Sequence, residues 1–407
     1  MRPSVLLLST YPIAEPRHGG QIRLAHIGNA FRDAGWHVES LAVYEPEVYG
    51  SSQLGDRDVP LPLSSPYLRF RGRHVPLITD LLTGEYAAAD DGGFKKIKTR
   101  LPSTMDAILV EQPWLWPLAV KIKTLPQYSN VILIYGSENI EAPLKKDILD
   151  SYKVPNTDEV ISKISALEKI AASQAEITVA VTRSDLDTLI SWGAKNPVLA
   201  PNGVGPMKIS QKTIDKWKNR LPQEPWLLYV ASAHPPNFTA FTKCVGESLA
   251  CIPPTSRLVV AGSVCEHIYQ KLSATRWHSI NLSRLELVFV IPDEDLMALK
   301  MLAHAFILPI PHGGGSNIKT AEALYSGAYV IGTKEAFRGF EEFTNLPEVF
   351  VSNNPEEFQM NIRSVLEGAP MESRKENPLK NKLLWHVCLA TIPEKLQSVF
   401  NSWNHDE

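Results

Sequence analysis

The stretch Leu308-Pro309-Ile310-Pro311-His312-Gly313-Gly314-Gly315-Ser316-Asn317-Ile318-Lys319-Thr320-Ala321-Glu322-Ala323-Leu324 decides the fold. An apolar run, Phe306–Leu308, stops at two prolines, three glycines follow, and helical spacing begins at Ser316 or Asn317. This pattern predicts a buried strand, a tight loop and a helix start. Glycines let the main chain approach a ligand with no Cβ in the way, and the N–H groups of a helix start face an anion with the positive dipole end behind them. The arrangement suits a diphosphate. Lys319, in the first turn, adds a full positive charge where a phosphate leaving group gains negative charge. Glu322, roughly one turn on, lies near the same face, placed to accept bonds from paired sugar hydroxyls. The plainer alternative is a tight loop followed by a solvated glutamate.

Outward from this stretch, short apolar runs alternate with helix-period segments, as parallel strands buried on both faces and their crossover helices do. The fold class is therefore α/β. Strands are expected at Val5–Ser9, Val38–Val43, Ala107–Val110, Val131–Tyr135, Ile177–Val181 and Val198–Ala200. A second series follows at Trp226–Ala231, Arg257–Ala261, Leu285–Val290, Phe306–Leu308, Tyr329–Gly332 and Val349–Val351. Expected helices include Ile22–Ala34, Asp158–Ala172, Ser184–Trp192, Asn237–Leu249, Asp293–Ala303, Asn317–Tyr325 and Pro355–Leu366. Two doubly wound, Rossmann-like sheets in tandem are predicted, facing across a cleft at the carboxyl ends of their strands. The first domain is expected over 1–203, with a C-terminal helix about 385–407 packing back on it, and the second over 204–384. The turn Pro201-Asn202-Gly203 divides them, and the polar stretch Lys208–Pro225 is expected to be a connector.

The 407 residues suffice for two cores, and 41 Lys and Arg against 44 Asp and Glu leave no global basic field for a nucleic acid. Cys244, Cys251, Cys265 and Cys388 form no Cys-x-x-Cys pair, which suggests a reducing compartment and no structural metal. The apolar start Val5-Leu6-Leu7-Leu8 is too short for a signal-peptide core, so a cytoplasmic protein is expected. Leu61–Arg100 fits the alternation poorly and is expected to be a long excursion. It carries Arg69, Arg71, Arg73, Lys95, Lys96, Lys98 and Arg100 against Asp80, Glu85, Asp90 and Asp91. This basic segment 69–100 is either a solvated face or a peripheral contact with the inner face of an anionic membrane.

The glycine stretch resembles the donor-binding signature of retaining, sugar-nucleotide-dependent glycosyltransferases of the GT-B fold, in the large family 4 group. There Gly-Gly-Gly-x-x-x-Lys-x-x-Glu-Ala leads into a Gly and a strand, matched here by Ser326-Gly327-Ala328-Tyr329-Val330-Ile331-Gly332-Thr333 and then Phe337-Arg338-Gly339-Phe340. Pro16-Arg17-His18-Gly19-Gly20-Gln21-Ile22-Arg23 is similar to the family's first glycine loop, beside donor phosphate and acceptor. Ser137-Glu138-Asn139-Ile140-Glu141 resembles its His-Asn-x-Glu segment, Pro201-Asn202-Gly203-Val204 its interdomain Pro-Asn-Gly-Val, and Pro235-Pro236-Asn237 the Pro-Asn opening the second domain's first helix. Phe289-Val290-Ile291-Pro292-Asp293-Glu294-Asp295-Leu296 resembles the strand and loop whose backbone frames the nucleobase.

The resemblance implies transfer of a sugar from a nucleoside diphosphate sugar to an acceptor hydroxyl with retention, in surface glycan or glycolipid assembly. The acceptor would be a glycan or a lipid-linked sugar. Donor-binding residues would be Gly19, Gly20, His234, Asn237, Val290, Ile291, Gly313, Gly314, Gly315, Ser316, Asn317, Lys319 and Glu322. Catalytic groups would be Lys319, Glu138 and His18; a further histidine, His312, is placed to line the cleft. No cofactor and no metal are expected. Two departures stand out: Gly314 occupies the place where many members carry the first of two glutamates, and Glu138 stands where a histidine is common. A carboxylate beside a diphosphate repels it unless it points toward sugar or acceptor.

Other chemistries fit less well. Asp185-x-Asp187 and Asp293-x-Asp295 match a metal-holding pattern but sit at helix starts, where acids cap free N–H groups. No Gly-x-Gly-x-x-Gly follows the first strand, which excludes the nicotinamide fingerprint, and no Gly-x-Ser-x-Gly elbow is present. A GT-B epimerase or phosphorylase, or a noncatalytic sugar-nucleotide binder, are the alternatives to transfer.

Overall fold

The computed structural model describes residues 2–311, 313–368 and 378–403, so His312 lies outside the described residues. The chain divides into two compact units, Met1–Pro201 with Trp385–Glu407, and Asn202–Leu384. The first unit holds β1 (Ser4–Ser9), β2 (His37–Tyr44), β3 (Val59–Pro60), β4 (Ala107–Glu111), β5 (Ile132–Ser137), β6 (Ile177–Ala180) and β7 (Pro197–Leu199). They form one parallel sheet in the order β3-β2-β1-β4-β5-β6-β7. The second unit holds β8 (Trp226–Val230), β9 (Arg257–Ala261), β10 (Leu285–Phe289), β11 (Ala305–Leu308), β12 (Tyr329–Thr333) and β13 (Val349–Ser352), ordered β10-β9-β8-β11-β12-β13.

Both sheets reverse direction of winding at their first strand, so crevices for ligands open beside the carboxyl ends of β1 and β4 and of β8 and β11. The apolar runs explain the sheets. Every residue of β1, β4 and β5 is buried, because helices cover both faces. Register is set by the same pattern: Val5 lies opposite both Val38 and Ala107, and Ala305 opposite both Leu227 and Tyr329. In the first unit the C-terminal helix Thr391–Trp403 closes on the helix Gly19–Asp33, with Phe400 edge-on to Trp36 and Trp385 stacked on His26.

Two expectations are corrected. Leu61–Arg100 is no loose excursion: it contains the helices Thr79–Ala88 and Phe94–Lys98, which bury Leu81, Leu82, Tyr86, Ala87, Phe94 and Ile97. Gly84 hid the first of them, and it is required: a Cβ there would lie 2.0 Å from the carbonyl oxygen of Trp114. The stretch Lys208–Pro225 is likewise no connector. It forms the helix Gln211–Arg220, whose Trp217 is buried in the second unit's core and donates its indole N–H to Asp295 at 2.7 Å. Asp295 also takes Lys216 at 2.8 Å, so its role is to dock this helix. The helix Pro235–Val245 starts earlier than Asn237–Leu249, with two prolines in its first turn, and ends earlier because Gly246 with φ +91 stops it. Among the described residues, no helix is long and apolar enough to cross a membrane.

Candidate functional site

In the second unit, β11 runs into the glycine loop and then into the helix Ile318–Ser326. Gly313 and Gly315 have φ of +152 and +54, so the turn needs residues without a Cβ. Arg338 fixes the loop from behind, donating through Nε to Gly315 O at 2.5 Å and through Nη2 to Gly314 O at 2.8 Å. With its carbonyls drawn back in this way, the loop is held in one conformation. Asn317 is the N-cap, its Oδ1 accepting from the Lys319 N–H at 3.0 Å. Ser316 is buried and bonded to Asn202, whose Nδ2 donates to Ser316 O at 2.9 Å.

Burial lowers the pKa of the Lys319 ammonium; nearby Glu322 opposes that shift and Lys300 adds to it. A desolvated cation of this kind gains more from an arriving anion than a hydrated one does. Glu322 accepts from Lys300 Nζ at 2.6 Å, an ion pair the sequence pattern gave no sign of. Lys300 belongs to the helix Asp293–Leu302, which follows the loop at Val290 and Ile291. In that loop Val290 is 74% exposed, and Phe289 adopts φ +61 while its carbonyl accepts from Gly262 N–H at 2.7 Å. Ile291 packs against the core. His234 precedes the helix Pro235–Val245 with no side-chain cap bond, and Asn237 Nδ2 donates to Ser232 O at 3.0 Å.

In the first unit, Gly19 and Gly20 open the helix Gly19–Asp33 and His18 caps it, Nδ1 accepting from the Gln21 N–H. Burial lowers the pKa of His18. Glu138, just past β5, has both oxygens engaged: Tyr11 Oη donates to Oε1 at 3.2 Å and Gln112 Nε2 to Oε2 at 2.9 Å. Trp114 Nε1 in turn donates to Gln112 Oε1 at 3.0 Å. A Cβ at Gly20 would lie 2.7 Å from the Tyr11 hydroxyl and 3.0 Å from Glu138 Oε1, so this glycine makes room for the pair.

Behind Glu138 sits Glu111, fully buried at the end of β4, with Oε1 3.4 Å from Arg23 Nε. A Cβ at Gly136 would lie 2.3 Å from its Oε2, so the carboxyl fits only beside glycine. Burial pushes the pKa of both carboxyls up; the charge of Glu138 raises that of Glu111 further, whereas Arg23 and hydrogen bonds from Tyr11, Glu111 and Gln112 oppose the rise at Glu138, so a proton shared by the pair favours Glu111. Tyr11 is pushed up by burial and by the same two acids. Glu141 is held up to about 8 and Glu168 up to about 7, burial being the largest cause for each. Glu168 accepts from the N–H groups of Glu141 and Ala142 at 2.5 and 2.9 Å, anchoring the start of the helix Glu141–Ser151.

Glu138, Gly20 and His18 are therefore brought together in the first unit, and the glycine triplet, Ser316, Asn317, Lys319 and Glu322 in the second. Sequence reasoning missed Tyr11, Gln112, Glu111, Lys300 and the loop-holding role of Arg338. Arg23 and Arg338 stand inside the quoted motifs, but only tertiary contacts bring Arg23 to Glu111 and Arg338 to the carbonyls of Gly314 and Gly315.

Two Rossmann-like units of this strand order define the GT-B fold. No protein-family model matches the chain, and no curated protein matches it in sequence. Solved structures do. Sucrose-phosphate synthase from Thermosynechococcus elongatus aligns with a TM-score of 0.64 at 15% identity, over 98% of this chain and 100% of that one. Anabaena HepE in complex with UDP aligns at 0.60 and 14%, over 99% of this chain and 100% of that one. The catalytic domain of starch synthase IV from Arabidopsis thaliana, bound to ADP and acarbose, aligns at 0.60 and 11%, over 99% of each chain.

Proposed function

We propose that the chain is a glycosyltransferase that moves a sugar from a nucleoside diphosphate sugar to an acceptor hydroxyl with retention, in surface glycan or glycolipid assembly. One observation carries the reading: a largely desolvated Lys319 ammonium stands in the first turn after a triple-glycine loop at the carboxyl end of β11. The fold supports it, being shared with proteins solved with UDP and ADP.

In this reading the loop and helix start take the diphosphate, and Lys319 neutralises charge as the leaving group departs. Glu322, oriented by Lys300, accepts the ribose hydroxyls. No metal is invoked, since the ammonium and the backbone amides supply the positive field. Glu138 and His18 serve the acceptor side, and a departing phosphate oxygen deprotonates the acceptor on the same face, so the protein positions groups and stabilises charge. A cytoplasmic place, peripheral at the inner membrane face through the basic segment 69–100, belongs to the same proposal. The exposed Lys95, Lys96 and Lys98 on one short helix support it, whereas Arg71 and Arg73 are turned to Glu159.

The test is a melting-temperature screen against UDP-, GDP-, ADP- and dTDP-sugars, followed by turnover of the stabilising donor. Lys319→Ala is expected to lower turnover by about 2.7–4 kcal/mol in barrier, or ~10²–10³-fold, as loss of one stabilising donor does elsewhere. Full activity in that variant would remove the assignment.

A further inference from the structure

Within the first unit a cavity of about 430 Å³ opens beside the His18 helix cap; its walls include Tyr11, His18, Glu45, Tyr49, Asp80 and Gln112. Three features give it a definite chemistry. Its walls carry two carboxylates, two phenols, threonine hydroxyls and an amide, but no lysine or arginine. Of these carboxylates, Asp80 is matched by Lys145 at 2.6 Å behind the wall, which leaves Glu45 as the net charge facing the space. Val48 and Leu77 at the rim are 58% and 42% exposed, adding apolar surface beside the rings.

Two wall residues, Leu77 and Gln112, hold left-handed backbone conformations with φ of +64 and +61. Such strain persists where surrounding structure enforces it, and Gln112 is enforced on every side. Its N–H donates to Gly136 O at 2.8 Å, its amide N–H to Glu138, and its amide oxygen accepts from Trp114. Gln112 thus joins the cavity wall rigidly to Glu138.

Carboxylates and phenols beside aromatic faces suit a pyranose, whose hydroxyls donate to the acids while its C–H face lies on a ring. The same lining repels phosphate, because no wall cation offsets Glu45. We infer that this cavity is an acceptor subsite for an uncharged, hydroxyl-rich saccharide, and that it discriminates against phosphorylated sugars. This rests on the glycosyltransferase reading for the word acceptor; sugar binding by the cavity does not.

The experiment measures saccharide binding to the full chain without donor, by ligand-observed NMR, using neutral mono- and disaccharides and glucose 6-phosphate. Donor binding is measured separately by melting temperature. The expected result is at least tenfold tighter binding of the best neutral sugar than of the phosphate. Glu45→Gln is expected to narrow that ratio, and Glu45→Lys to reverse it toward the phosphate. Tyr49→Ala should weaken neutral-sugar binding, with an unchanged melting temperature showing that the fold is kept. Equal or tighter phosphate binding in the unaltered chain overturns the inference, as does donor binding with no saccharide bound. Saccharide bound with no nucleotide sugar recognised leaves the cavity assignment standing and overturns the glycosyltransferase reading instead.

Discussion

Replacing Glu141 by Gln should flatten the pH dependence of stability. Glu141 is 4% exposed, and its pKa is held up to about 8 from an ordinary 4.5, first by burial and then by repulsion from Asp80. Asn139, whose amide donates to Oε1 at 3.2 Å, and Lys145 oppose the shift without cancelling it. The folded chain therefore keeps a proton over a range where the unfolded chain has released it. The stability this group contributes is fully present below 4.5, falls as pH rises from there, and is lost by about 8. At about 1.4 kcal/mol per pH unit, the loss between pH 5 and 8 is on the order of 3–4 kcal/mol. Glutamine has nearly the same shape and no charge to lose. Urea unfolding at each pH from 5 to 8, followed by tryptophan fluorescence, should show the variant gaining on the unaltered chain by that amount as pH rises. Some slope remains in the variant, because Glu168 is also held up, to about 7. Parallel curves for the two proteins would refute the argument, since Glu141 would then be ionised in the folded chain.

Other expectations follow from close contacts. Gly84→Ala should destabilise the chain despite sitting in a helix: the propensity gain of about 1 kcal/mol is outweighed by overpacking of ~1–3 kcal/mol or more, as the obstacle is the Trp114 backbone. A raised urea midpoint would contradict this. Arg23→Met should cost about 3–5 kcal/mol, because it leaves Glu111 and Glu138 without their buried cation, and the loss should shrink at low pH as the acids take up protons. A pH-independent loss would refute the account of that cluster. Arg338→Ala frees the carbonyls of Gly314 and Gly315, so nucleotide-sugar affinity should fall about tenfold, corresponding to roughly 1.4 kcal/mol. Arg338→Lys should not restore it, since an ammonium lacks the two-pronged geometry; unchanged affinity in calorimetry would show that the loop holds itself.

The fold was legible where burial is two-sided. Runs such as Val5–Leu8 and Ala107–Val110 admit one reading, and Gly193 with φ +93 ends its helix at the place its sequence position indicates. Elements whose stability comes from distant partners were not legible. β3 is two residues, one of them proline, held by pairing with Val43 and Tyr44 at the sheet edge and by burial of Val59 in the core. The helix Gln211–Arg220 has one deeply buried side chain, Trp217, and its anchor Asp295 lies far along the chain. The candidate site divides in the same way. Glycines, Lys319 and Glu322 stand together in one motif, whereas Glu111 ends an apolar strand and shows nothing in sequence of the arginine it meets. Lys300 looks like any helix-surface lysine until β11 and its neighbouring helices place it against Glu322.

The most direct test is a crystal structure with whichever nucleoside diphosphate sugar gives the largest rise in melting temperature. The phosphorus atoms are expected beside the Gly313–Gly315 amides and the start of the helix Ile318–Ser326, within reach of Lys319 Nζ. Phosphorus density anywhere else, with the glycine loop unoccupied, would contradict the account.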